Sequence, residues 1–135
     1  AQALVFEMAE AGALSVVDHA EVDVLVIGMA CVDIASHCDK FPIEDECTRS
    51  IEQRIARGGN GASSACVVAL LKGSVSWCGS LGRRGDAMTD VVLESFQRCG
   101  VQPSHCVCQD APQPVASIIV NRSKATRTVI LNNQL

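Results

Sequence analysis

The residues best placed to do chemistry cluster around Arg54-Ile55-Ala56-Arg57-Gly58-Gly59-Asn60-Gly61-Ala62-Ser63-Ser64, which runs into Ala65-Cys66-Val67-Val68-Ala69-Leu70-Leu71-Lys72-Gly73. Glycine costs too much backbone entropy to sit inside a helix or a good strand, so Gly58, Gly59 and Gly61 mark a loop. The helix formers that follow stop at Gly73, a C′-type terminator. Such a loop brings the free N–H groups of a helix's first turn to one point, where a polar or anionic ligand finds donors. The same spacing also suits a tight loop-to-helix joint that holds no ligand. Asp33 is a second candidate. It is a lone carboxylate just past an apolar run, where ligands sit in open α/β sheets. An acid solvated at a strand end is the plainer alternative. His37-Cys38 with Cys31 and Cys47, and His105-Cys106 with Cys108, offer soft metal ligands. Neither set has the Cys-x2-Cys spacing of structural zinc, and free cysteine commonly fills cores, so no metal is expected.

The whole chain narrows the function class. At 135 residues it is one domain or part of one, and it is apolar enough to fold. A net charge of −4 and only four aromatics (Phe6, Phe41, Trp77, Phe96) give neither a basic footprint nor stacking platforms for nucleic acid. The longest apolar run, Val24 to Val32, is too short for a bilayer, which needs about 20 residues. Positions 1–22 hold no Lys or Arg, so the positive start of a secretory signal is missing. The eight cysteines then read as reduced thiols of a cytoplasmic protein. The chain begins with Ala and ends directly after a strand-like run, so a fragment is expected.

The elements that must position these residues read as α/β. Residues 1–21 are a weak amphipathic, poorly packed extension. Val22 to Gly28 is a β-branched apolar run suited to a central strand buried on both faces, continuing extended through Cys31–Ala35. Residues 36–46 form an acidic surface loop, and Cys47 to Arg57 fits two short projecting strands as well as a helix. After the glycine loop and its helix comes a strand over Ser74–Gly79, giving a crossover unit with parallel pairing. A second glycine turn, Gly79 to Asp86, ends in a plausible N-cap, Asp86. A helix follows over Ala87–Cys99 with Gly100 as its stop, then a strand over His105–Gln109. Val115–Asn121 and Thr126–Leu131 form a terminal hairpin.

Taken in order, four stretches resemble the PfkB-type carbohydrate kinases of the ribokinase-like fold, and within them the ketohexose kinases. They are Val26 to Ile34, Arg57 to Ser63, Gly79 to Asp86 with Arg98-Cys99-Gly100-Val101, and Pro114 to Asn121 with Thr126 to Leu131. The resemblance covers residues 22–135 and implies an incomplete ribokinase-like domain, a mainly parallel sheet flanked by helices with a small β-lid. It implies that Asp33, Gly58, Gly59, Asn60 and Ser63 line the sugar site and that Arg127 reaches ATP phosphate. Those residue types suit such roles, since a carboxylate accepts from two hydroxyls, an amide both donates and accepts, and a guanidinium fork matches an anion. The resemblance further implies ATP with Mg2+, a sugar acceptor such as fructose, and a homodimer through lid strands at about 36–57 and 114–131.

Two departures qualify it. Ser63 stands where the family offers a second asparagine, and a hydroxyl reaches less far. The family's Gly-Ala-Gly-Asp signature, with its catalytic base, does not occur in these residues. No acid here takes the base role, so the chain is expected to carry the sugar-binding half of a site and to be inactive alone. Two other readings stay open. Arg54 and Arg57 could serve a sugar phosphate, with ribose or a nucleoside as further acceptors. A non-catalytic lid fragment would dimerise without chemistry. A dinucleotide site is disfavoured, because residues 36–57 separate the first strand from the glycine loop.

Overall fold

The computed structural model describes residues 22–135 in full and, before them, only the backbone of strands β1 (Phe6–Met8) and β2 (Leu14–Val16). These two pair antiparallel. The rest of the expected extension over residues 1–21 lies outside the described residues.

Strand β3 (Val24–Ile27) pairs in parallel with β6 (Val75–Cys78), and helix α1 (Asn60–Leu70) packs on both. This is the expected crossover, with a detour. Between β3 and α1 the chain makes β4 (Cys31–Cys38) and β5 (Glu52–Gly58). They join β9 (Val115–Asn121) and β10 (Thr126–Asn132) in one sheet of order β10-β9-β4-β5. In it β4 runs parallel to β9 and antiparallel to β5, and β9–β10 is the expected hairpin. Helix α2 (Ala87–Cys99) lies against β4 and β5. The short strands β7 (Ser80–Leu81) and β8 (Val107–Cys108) pair in parallel beside the second glycine turn.

The core forms where the sheets and helices meet. Ala62, Ala65 and Cys66 of α1 are small enough to let the helix sit close on β3 and β6. Val92 and Phe96 of α2 close the other side, with the Phe96 ring 5.1 Å from that of Trp77. Asp86 caps α2 as expected, accepting the Met88 N–H at 3.3 Å, and Gly100 ends it in the left-handed region at φ 82°.

Five expectations need correction. Strand β3 is not buried on both faces: among the described residues its sheet neighbour is β6 alone, α1 covers one side, and Ile27 is 73% exposed. Residues 36–38 are strand, because β9 gives β4 a partner out to Cys38. Residues 47–57 form neither two strands nor a helix; the single strand β5 starts at Glu52 and runs through Gly58. The strand expected over 105–109 shrinks to Val107–Cys108. Helix α1 is terminated by Lys72 rather than Gly73, with Lys72 left-handed at φ 69°. The Lys72 and Gly73 amides return to the Ala69 and Val68 carbonyls, both at 3.0 Å, a Schellman closure with a lysine at C′.

Candidate functional site

The site grows from the alternation of β4 and β5. In their antiparallel register Asp33 opposes Ala56 and Cys31 opposes Gly58, so these four share one face. Val32 and Arg57 share the opposite face, which packs on the helices. Gly58 is buried and leaves the space that Asp33 occupies. A Cβ at Gly58 would stand 2.2 Å from Asp33 Oδ1 and 2.6 Å from Oδ2. The carboxylate therefore lies directly over the last residue of β5.

Beyond it the chain turns sharply. Gly59 has φ +91°, and a Cβ there would meet the Met29 carbonyl oxygen at 2.4 Å. The Met29 carbonyl also accepts the Ala62 N–H at 3.3 Å, which ties the start of α1 to the turn after β3. Gly59 is the N-cap of α1 and supplies no side-chain cap. Gly61 packs on Gly28, with its Cβ position 2.7 Å from the Gly28 Cα. Asn60 opens α1, exposed, at the corner where Asp33 meets Gly58.

Cys31 lies beside Asp33 on the same face of the sheet. Its thiol donates to Asp33 Oδ1 at 3.5 Å. Burial, then the neighbouring carboxylate, push that thiol from 9.0 up to about 11, so it remains a donor at neutral pH. The end of the chain reaches the same rim, where Asn133 Nδ2 contacts Met29 Sδ at 4.0 Å.

The other expected residues divide. Ser63, one turn after Asn60, accepts a hydrogen bond from Arg57 Nη1 at 3.2 Å, and Arg57 Nε donates to Ser95 Oγ of α2 at 3.2 Å. Arg57 thus serves the helix side of the sheet, away from Asp33. Arg54 is on the Asp33 face, but its Nε pairs with Glu52 at 2.6 Å. Arg127 is on the Asp33 face too, in the row of Val120 and His37. Four residues along and two strands across, it is roughly 13 Å up the sheet and about 10 Å sideways from Asp33. The structure therefore brings together Asp33, Gly58, Gly59 and Asn60, engages the Ser63 hydroxyl with Arg57 on the helix side of the sheet, and keeps Arg127 apart. Of the proposed thiol and imidazole sets, none forms a group of three among the described residues. His37 and Cys38 are neighbours in β4 and point to opposite faces.

Residues 22–135 match the pfkB family carbohydrate kinases. The chain belongs to this family. A PfkB relative, mouse ketohexokinase, is 35% identical over 112 residues, covering 82% of this chain and 37% of that protein. The Arabidopsis thaliana ribokinase, solved with ribose and ATP, superposes with a TM-score of 0.69 at 25% identity over 80% of this chain and 35% of that one. The Thermotoga maritima ribokinase gives 0.70 at 23% identity over 83% and 36%, a likeness of fold alone. The fold is ribokinase-like, and the chain spans little more than a third of the length of these relatives.

One residue carries a role that its sequence context does not announce. Gln113, in a stretch whose prolines signal only a chain break, is 3% exposed and uses both ends of its amide. Its Oε1 accepts the Gly82 N–H at 2.8 Å, and its Nε2 donates to the Ala30 carbonyl at 2.9 Å. The available signal is its setting between Pro112 and Pro114, which fix the backbone around a residue with both a donor and an acceptor.

Proposed function

We propose that this PfkB chain supplies the sugar-binding half of an ATP-dependent kinase for a ketohexose such as fructose, and does not transfer phosphate alone. The observation that carries it is the Asp33 carboxylate seated over Gly58, beside Gly59 and the exposed Asn60. Asp33 accepts from two vicinal hydroxyls, the Asn60 amide donates to and accepts from neighbouring ones, and Gly58 leaves room for the carboxylate itself. The 35% identity to a ketohexokinase favours a ketohexose. The pairing of Arg54 with Glu52, and the turn of Arg57 toward Ser63 and Ser95, favour a neutral sugar over a sugar phosphate.

Arg127 would meet the nucleotide phosphates from farther up the same sheet face, as its place in the β9–β10 hairpin allows. Magnesium would arrive with ATP, held by the phosphates and its own waters, as this ion prefers. Deprotonation of the acceptor hydroxyl needs a base, and the acid near the sugar, Asp33, is assigned to binding. The four-stranded sheet also exposes Ile55 and Ile130 on the face opposite Asp33, apolar residues suited to a homodimer of a cytoplasmic protein. Light scattering tests that dimer.

The functional test has two arms. Titration with D-fructose should show saturable binding that Asp33→Ala abolishes. A coupled ADP-release assay with fructose and MgATP should stay at background. Binding that survives Asp33→Ala, or turnover above background, would overturn the proposal.

A further inference from the structure

We infer that Gln113 is a positioning residue for the glycine turn of the sugar site, acting through the carbonyl of Ala30. The inference rests on the sugar-site reading for its functional consequence, but its geometry stands by itself.

The turn Gly28-Met29-Ala30 joins β3 to β4 and is the surface on which the glycine signature rests. Gly59 abuts the Met29 carbonyl oxygen and the Ala30 Cα, Gly61 abuts Gly28, and the Ala62 N–H bonds to the Met29 carbonyl. The turn therefore bears directly on Gly59, Gly61 and the first amides of α1, which follow Gly58 and flank Asn60 in the chain. Ala30 is fully buried, and its carbonyl accepts from Gln113 Nε2 at 2.9 Å.

Gln113 is itself held from three sides. Its Oε1 takes the Gly82 N–H. Its backbone N–H donates at 3.3 Å to Asp86 Oδ2, the cap of α2. Its neighbour Pro114 accepts the Val32 N–H at 2.9 Å, where β9 enters the sheet beside β4. Gly82 allows the approach, since a Cβ there would stand 2.4 Å from the Gln113 nitrogen. One amide thus couples the second glycine turn and the start of α2 to the turn beneath Gly59. This bridge needs a donor and an acceptor on one side chain of this length, and a buried group missing either partner is costly.

The test exploits that dual demand. Gln113→Met keeps the length and removes both bonds. Gln113→Glu keeps the acceptor toward Gly82 but donates to Ala30 only when protonated. Burial and the Asp86 carboxylate at the backbone N–H raise the pKa of the new acid and the Gly82 N–H opposes them; the Arg83–Asp110 pair lies on the adjoining turns.

Hydrogen exchange on the whole chain reads the position of the turn without any ligand. For Gln113→Glu the protection factor of the Ala62 amide should fall at least tenfold at pH 8 and recover at pH 5.5. For Gln113→Met it should stay low at both, while the Val92 amide in α2 keeps wild-type protection throughout. D-Fructose affinity should follow the same pattern, falling about tenfold at pH 8 in Gln113→Glu and recovering at pH 5.5. Unchanged Ala62 protection in Gln113→Met, or an equal loss at Val92, overturns the inference. Should exchange behave as described while the wild-type chain binds no fructose, the positioning role stands and the sugar reading falls.

Discussion

Gly58→Ala should nearly abolish sugar binding while barely touching the fold. The added methyl would lie 2.2 Å from Asp33 Oδ1 and 2.4 Å from Cγ, well inside contact distance, so the carboxylate must swing away. Asp33 has two rotatable side-chain bonds, and leaving its preferred rotamer costs about 0.5–1.5 kcal/mol. Losing the Cys31 contact adds about 0.5–1 kcal/mol. Against this, Gly58 is not left-handed, so alanine fits its backbone and returns about 0.4–1 kcal/mol through the unfolded chain. The net is about 1 kcal/mol, a Tm lower by roughly 3–5 °C. Binding should suffer far more. Two hydrogen bonds to a charged acceptor contribute about 1.5–3 kcal/mol each, so affinity for D-fructose should fall by about 100-fold or more. Calorimetric titration and a thermal melt on the same sample measure both. A double-mutant cycle with Asp33→Ala should show that Gly58→Ala adds almost nothing once the carboxylate is gone. If the two losses simply add, or if Gly58→Ala binds fructose like wild type, then Asp33 does not hold the sugar over Gly58.

Gly59→Ala should behave in the opposite way, because φ +91° and the Met29 carbonyl both resist a side chain; a loss of about 2–4 kcal/mol should appear as a lower urea midpoint. Arg127→Ala should weaken ATP binding about tenfold and leave fructose affinity unchanged, since the two positions are far apart on the sheet; titration with each ligand separates them. Burial is the largest cause holding the Cys31, Cys66 and Cys106 thiols near 11 rather than 9.0, so the folded state binds protons that the unfolded chain has released. The thiols' contribution should therefore be constant between about pH 6 and 8, and stability should fall between pH 9 and 11, in urea melts across that range. Exposed Cys47 should react with a maleimide at pH 7.5 well before Cys31 and Cys66.

Much of the fold is legible because local signals agree with tertiary ones. Asp86 as cap, Gly100 as stop and the β9–β10 hairpin each depend on a few adjacent residues. The failures share a cause, since each hinges on a partner far along the chain. Nothing local says that β9 will pair with β4 out to Cys38, yet that pairing makes residues 36–38 strand. The apolar run of β3 correctly announces a parallel strand, but how deeply a strand is buried depends on its neighbours, and here β6 and α1 cover only part of it. Gln113 is illegible for a similar reason: its two bonds span 31 and 83 residues.

The glycine signature itself carries two messages that spacing cannot separate. Gly59 is needed for its positive φ and its contact with Met29, and Gly61 for its contact with Gly28. Both are demands of a tight joint between a strand, a turn and a helix, and they would hold in a protein that bound nothing. The helix start is also partly closed to ligands, because the Ala62 N–H already serves the Met29 carbonyl. Gly58 differs. Its φ is not in the left-handed region, and the three atoms nearest a side chain there all belong to Asp33. A buried glycine beneath a partly exposed carboxylate, at the corner where Asn60 is open to solvent, is the feature on which the proposed sugar site rests. The sugar reading therefore stands on Gly58 and Asp33 together, a pair separated along the chain that only the β4–β5 register brings into contact.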